Sequence, residues 1–186
     1  KLAAGLLFVA PAIPLLFMGE EYGETAPFQF FTSFLDRERA EAVRRGRPAE
    51  FSRFSWEGAV PDPGAPATFV RSRLNHALAG APRHRELREY YRQWLALRRQ
   101  HPALGTAGKQ GTRAALDASG SLLTVTREPA SGPSLILVAN LGASRWPWPG
   151  LADGWLLLDS DAKRFGGTGA DAPLAPFQLL LYEMRG

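Results

Sequence analysis

Ile13-Pro14-Leu15-Leu16-Phe17-Met18-Gly19-Glu20-Glu21-Tyr22-Gly23 is the stretch on which the fold turns. Five of its first six residues are large and apolar, and a glycine, two carboxylates and an aromatic follow. Such a run reads as a buried strand of a parallel α/β fold, apolar on both faces because helices cover both. Ligands bind at the carboxyl ends of such strands, where Glu20 and Glu21 would stand. Adjacent residues on an extended chain point to opposite faces. The two acids are therefore poorly placed to flank one scissile bond, and at most one of them faces a site.

Upstream, residues 2–10 are rich in Leu and Ala until Pro11 stops them, as in a helix packed on the outside of a sheet. A secretory signal would also read as one Lys, an apolar core and Ala10-Pro11-Ala12. The apolar character instead runs on to Met18, and the run is too short and proline-broken to span a membrane. With no convincing export signal, a cytoplasmic location is the expectation. The chain opens on Lys, which suggests a piece of a longer polypeptide.

Downstream stands Pro27-Phe28-Gln29-Phe30-Phe31. Three phenylalanines around an amide can plug a small core of their own. They can equally form a platform on which a sugar ring stacks while the amide bonds its hydroxyls. Residues 36–45 read as a short helix with Asp36 at the N-cap and Gly46 just past the end. Residues 50–57 are aromatic and irregular, with Phe51, Phe54 and Trp56, and prolines hold 60–66 extended or turned. Residues 68–78 suggest another short helix. Residues 85–100 give a long one, with Leu87, Tyr91, Trp94 and Leu95 on one face. Beyond about residue 105, short β-type runs at 122–126, 134–139, 155–159 and 177–183 alternate with Gly/Pro turns. That rhythm predicts an antiparallel sandwich.

Composition bounds the function. Hydrophobic content of 45% and charged content of 22% are ordinary for a soluble domain. The absence of cysteine excludes disulfides, thiolate metal sites and cysteine nucleophiles. The net charge of +4 comes from residues 36–100, where 14 Arg face 8 acids. These alternate at helical spacing, as in Asp36-Arg37-Glu38-Arg39, which is the pattern of a solvated helix face, and no nucleic-acid motif accompanies them. His76, His84 and His101 lack zinc spacing, and Ser33, Ser52 and Ser55 lack a nucleophile elbow. Gly166-Gly167-Thr168-Gly169 opens no helix and reads as a turn. No complete catalytic constellation, metal site or cofactor motif is present. Trp146 and Trp148, two apart, would share a face, either as a packing plug or as a sugar platform.

The stretch from Pro14 to Gly23, followed by Pro27-Phe28-Gln29-Phe30-Phe31-Thr32, resembles the C-terminal part of the α-amylase superfamily of glycoside hydrolases, and more narrowly its trehalohydrolase branch. Val60-Pro61-Asp62-Pro63, Thr68-Phe69-Val70-Arg71-Ser72-Arg73-Leu74 and Trp94-Leu95-Ala96-Leu97-Arg98-Arg99-Gln100-His101-Pro102-Ala103-Leu104 fit the same family in the same order. The phenylalanine-rich motif separates this branch from glycogen branching enzymes, and Asn75-His76 departs from an expected Asp-Trp pair.

The resemblance implies an α/β plus all-β chain: the C-terminal end of a (β/α)8 TIM barrel followed by an antiparallel β-sandwich domain. Residues 1–104 would hold the end of barrel helix 7, strand 8 over residues 13–18, a long loop and helix 8; residues 105–186 would be the sandwich. It implies no catalytic residue in this chain, since the family's nucleophile aspartate, acid/base glutamate and stabilising aspartate come from earlier strands. Substrate binding would fall to Glu20 or Glu21, Phe28, Gln29, Phe30 and Asp62. The implied partners are malto-oligosyltrehalose or a related α-glucan and the remainder of the barrel, with no nucleic acid, membrane, metal or cofactor. A free-standing carbohydrate-binding or interaction module is the alternative from a different class.

Overall fold

The computed structural model describes residues 1–52, 60–169 and 173–185. The chain divides into two compact units, residues 1–23 with 79–186, and residues 24–78. Phe54 and Trp56 lie outside the described residues, as does the side chain of Phe51.

The larger unit is built on one antiparallel sheet of five strands: β1 (Thr112–Leu116), β2 (Leu122–Arg127), β3 (Leu135–Asn140), β4 (Gly154–Asp159) and β5 (Leu179–Met184), in the order β1-β2-β3-β5-β4. Side chains alternate across the pleat. Leu135, Leu137 and Ala139 of β3 and Leu179 and Leu181 of β5 join one core, whereas Val138, Leu180 and Tyr182 join a smaller cluster on the other face. Trp146, Trp148 and Leu151 pack against that smaller cluster, and the Trp148 indole N–H donates to the Tyr182 hydroxyl at 3.2 Å. The two tryptophans thus cover the sheet.

Helices α1 (Leu2–Val9) and α4 (Pro82–Gln100) supply the other layer, so the larger core is helix on sheet. The expected two-sheet sandwich is, among the described residues, a single sheet. Both central strands find apolar cover without a second sheet, from the helices on one side and the tryptophan loops on the other. α4 begins on a proline in its first turn, where the missing N–H costs nothing. It presents Tyr90, Tyr91 and Trp94 to the core and ends at His101, ahead of Pro102. Phe8 of α1 stacks on Trp94 at 5.9 Å and meets Tyr91 edge-on at 5.7 Å. Each of these fully buried rings or aliphatic side chains contributes about 1.5–3 kcal/mol. α1 lies close because residue 5 is glycine: a Cβ there would stand 2.5 Å from Leu179 Cδ1 and 2.9 Å from the Tyr90 hydroxyl.

The opening stretch departs from its reading as a buried strand. Residues 13–17 belong to no strand, since no neighbouring strand among the described residues supplies a ladder. Ile13 is 84% and Leu15 88% exposed, and Phe17 and Met18 about half exposed, whereas Leu16 packs on the core.

The smaller unit contains α2 (Arg37–Ser52) and α3 (Pro66–Arg71). Asp36 caps α2 as expected, its Oδ1 accepting the amides of Glu38 and Arg39 at 2.9 and 3.3 Å. The helix does not stop at Gly46; it continues through Gly46 and Pro48. Both residues weaken a helix, yet the ion pairs Arg44–Glu41 and Arg47–Glu50 bracket the weak point. The single helix expected over 68–78 is broken after Arg71 and resumes as a 3-10 turn at His76–Gly80. Among the described residues no helix is long and apolar enough to cross a membrane.

Candidate functional site

Two left-handed glycines, Gly19 (φ 87°) and Gly23 (φ 70°), bound a single 3-10 turn, Glu20–Tyr22, that ends the apolar stretch. A side chain at either position would strain the backbone, so the turn is a built feature of this sequence. Within it the two acids have different surroundings. Glu20 Oε2 accepts the Phe17 amide at 2.9 Å, and its Oε1 accepts the Tyr91 hydroxyl of α4 at 3.2 Å. Burial first, and then the Glu20 carboxylate, push the Tyr91 hydroxyl up to about 12, so it stays a donor at any physiological pH. His84, in the first turn of α4, sets a ring nitrogen 2.7 Å from the Tyr22 carbonyl. Nδ1–H is therefore the donor. Glu20 is thus engaged in holding the turn onto α4. Glu21 is half-buried beside it, and no hydrogen bond engages its carboxylate among the described residues.

In the smaller unit, Phe28, Gln29 and Phe30 come together as the sequence suggested. They line a cavity of about 370 Å³ with Pro27, Arg47, Val60 and Pro61. Phe28 is 56% and Phe30 44% exposed, so neither ring is spent on a core. The Gln29 backbone N–H donates to Ser72 Oγ at 3.0 Å, which fixes the backbone, while its side-chain Oε1 is buried without a partner among the described residues. An unpaired buried acceptor is costly unless something donates to it. A hydroxyl-bearing ligand would do so. The Arg47 guanidinium lies 4.3 Å from the centre of the Phe30 ring, a cation–π contact that also brings a positive charge to the rim. Arg47 was missed by the sequence reading. It is one of many arginines, and nothing local marks the one that folds back over residue 30.

Asp62 does not join this cavity. Its Oδ1 accepts the Gly64 amide at 2.9 Å and its Oδ2 pairs with Arg44 at 2.8 Å. The amide and then Arg44 hold its carboxyl below the usual aspartate range. It lines instead a second hollow with Phe31, Phe34 and Phe69. At the departure noted near Asn75, the Asn75 backbone amide donates to Glu24 Oε2 at 2.6 Å.

No family model matches the chain. A malto-oligosyltrehalose trehalohydrolase of Rhizobium sp. (strain M-11) is 40% identical over 173 residues, 92% of this chain and 28% of that protein. The Arthrobacter ramosus malto-oligosyltrehalose trehalohydrolase is 48% identical over 101 residues, 54% of this chain and 18% of that protein. Among solved structures, a Salmonella typhimurium protein assigned as an alpha amylase superposes over 98% of this chain and 30% of its own. The TM-score is 0.77 and the identity 33%. The sheet with its helices therefore matches the C-terminal region of α-amylase-family enzymes. Within that class, the chain belongs by sequence with the malto-oligosyltrehalose trehalohydrolases, which are glycoside hydrolases. It spans less than a third of the length of these relatives.

Proposed function

We propose that the chain works as the C-terminal part of a retaining, α-glucan-active glycoside hydrolase that releases trehalose from malto-oligosyltrehalose. The observation that carries this reading is the exposed apolar stretch, with Ile13, Leu15 and Phe17 turned to solvent beside a packed Leu16. Left open, such a segment is an aggregation hazard. Placed between neighbouring strands as the eighth strand of a barrel, it gains a hydrogen-bond ladder and buries Ile13 and Leu15, each worth about 1.5–3 kcal/mol, with the exposed halves of Phe17 and Met18. The reacting carboxylates then stand on other strands of the barrel, and this chain supplies binding and support. One acid of the Glu20–Glu21 turn lines the sugar cleft, and Glu21 is the one left unengaged. Phe28, Gln29 and Phe30 offer ring faces and an acceptor to the trehalose end, with Arg47 beside them. Asp62 contributes by holding its own turn.

The test is to incubate the intact polypeptide carrying this chain with malto-oligosyltrehalose and to measure trehalose. Release supports the reading; a branched glucan as product, or no product, defeats it. The exposed rings around the Gln29 cavity also suit a free-standing carbohydrate-binding module. Tight binding of maltotetraose by a monodisperse 186-residue chain would favour that second reading.

A further inference from the structure

α1 ends where the backbone turns toward the stretch at residues 13–18, and its last carbonyls would ordinarily face water or a glycine cap. Here two arginines take them. Arg98 of α4 donates from Nη1 to the Phe8 carbonyl at 2.5 Å and the Ala10 carbonyl at 3.1 Å, and from Nη2 to the Ala12 carbonyl at 2.9 Å. Arg127, the last residue of β2, donates from Nη1 to the Val9 carbonyl and from Nη2 to the Gly105 carbonyl at 2.7 Å. Arg127 is fully buried, and among the described residues no carboxylate pairs with either guanidinium. Burial, and for Arg127 next the charge of Arg98, disfavours the charged forms of both. Two guanidiniums set side by side without an anion are an expensive way to close one short helix. The partial negative charge of the helix end recovers part of that cost, but a glycine or water would serve a plain cap at less.

What the arrangement secures is direction. Four successive or near-successive carbonyls, Phe8, Val9, Ala10 and Ala12, are fixed to α4 and to the sheet at once. The path into residues 13–18 is thereby set. The far end of the same segment is pinned by Glu20 to Tyr91, which lies two helical turns before Arg98 on α4. Resting on the function proposed above, we infer that Arg98 and Arg127 are positioning residues that aim the Gly19–Gly23 rim at the substrate cleft.

The test substitutes Arg98→Met, Arg98→Lys and Arg127→Met in the intact polypeptide, with Arg98→Lys as the variant that keeps the charge and the stem. Hydrogen exchange is read at the Glu20, Tyr22 and Gly23 amides, which donate to the Phe17, Gly19 and Glu20 carbonyls and are touched by neither arginine. KM and kcat on malto-oligosyltrehalose are read alongside. The inference expects rim exchange to rise about tenfold in the Met variants, with β3 amides unchanged and KM raised more than kcat is lowered. The Lys variant should fall between. Faster exchange confined to α1, with rim protection and KM intact, would make both arginines plain helix caps and overturn the inference. Absence of trehalose release would defeat the function reading alone, because the exchange result stands without it.

Discussion

Gly5→Ala sets two opposed effects against each other in α1. Replacing a mid-helix glycine by alanine ordinarily stabilises by about 0.8–1 kcal/mol, because the unfolded chain loses freedom and the helix gains propensity. At residue 5 the new Cβ would stand 2.5 Å from Leu179 Cδ1, 2.9 Å from the Tyr90 hydroxyl and 3.3 Å from Trp94 Cζ2. The nearest contact is the end of a side chain, but Leu179, Tyr90 and Trp94 are all fully buried, so none can swing aside. Overpacking of this kind costs about 1–3 kcal/mol, and three simultaneous contacts argue for the upper end. The net expectation is destabilisation of about 2 kcal/mol, read as a lower urea midpoint with an unchanged m value. Gly46→Ala is the internal control. That glycine lies inside α2 with nothing among the described residues within 4 Å of its Cβ position, so the same exchange should stabilise the smaller unit, by about 0.5–1 kcal/mol. A Gly5→Ala protein as stable as the parent would refute the close packing of α1 on the sheet.

Phe28→Ala and Gln29→Ala in the intact polypeptide should each lower kcat/KM by the equivalent of about 1–3 kcal/mol, and unchanged kinetics would remove them from the site. Trp94→Ala, which empties the centre of the larger core, should cost about 3–5 kcal/mol by denaturant titration. Asp117 predicts a pH dependence. Its carboxylate accepts the amides of Leu122, Ser119 and Ser121 at the β1–β2 turn, which lowers it from 3.8 to about 2. A depressed carboxyl contributes stability above its unfolded value and loses it as pH falls toward the folded one. The melting temperature gap between the parent and Asp117→Asn should therefore be constant near neutrality and close between about pH 4 and pH 2. A gap that widens on acidification would show the sign to be wrong.

What was legible in the sequence was what neighbouring residues encode. The α4 face of Tyr91 and Trp94, the Asp36 cap and four of the five strands follow from local period and turn chemistry. β1 escaped because Thr112–Leu116 is largely exposed at a sheet edge and carries no alternation. α2 overran Gly46 because propensity is a weak prior beside charge pairs along the helix. The sandwich was overestimated because a sheet face covered by helices is as apolar as one covered by another sheet. That Phe28, Gln29 and Phe30 line one cavity was readable because they are contiguous. The Glu20–Tyr91 bond, joining residues far apart in the chain, and the return of Arg47 over Phe30 are products of tertiary folding and left no local mark.

In the function proposed above, residues 13–18 are a strand whose neighbours lie elsewhere in the polypeptide. Hydrogen exchange of the Leu15 and Leu16 amides in the intact protein tests it most directly. Protection matching the central strand β3 is the predicted result. Exchange at the rate of an unstructured peptide would contradict the barrel strand and the function proposed from it.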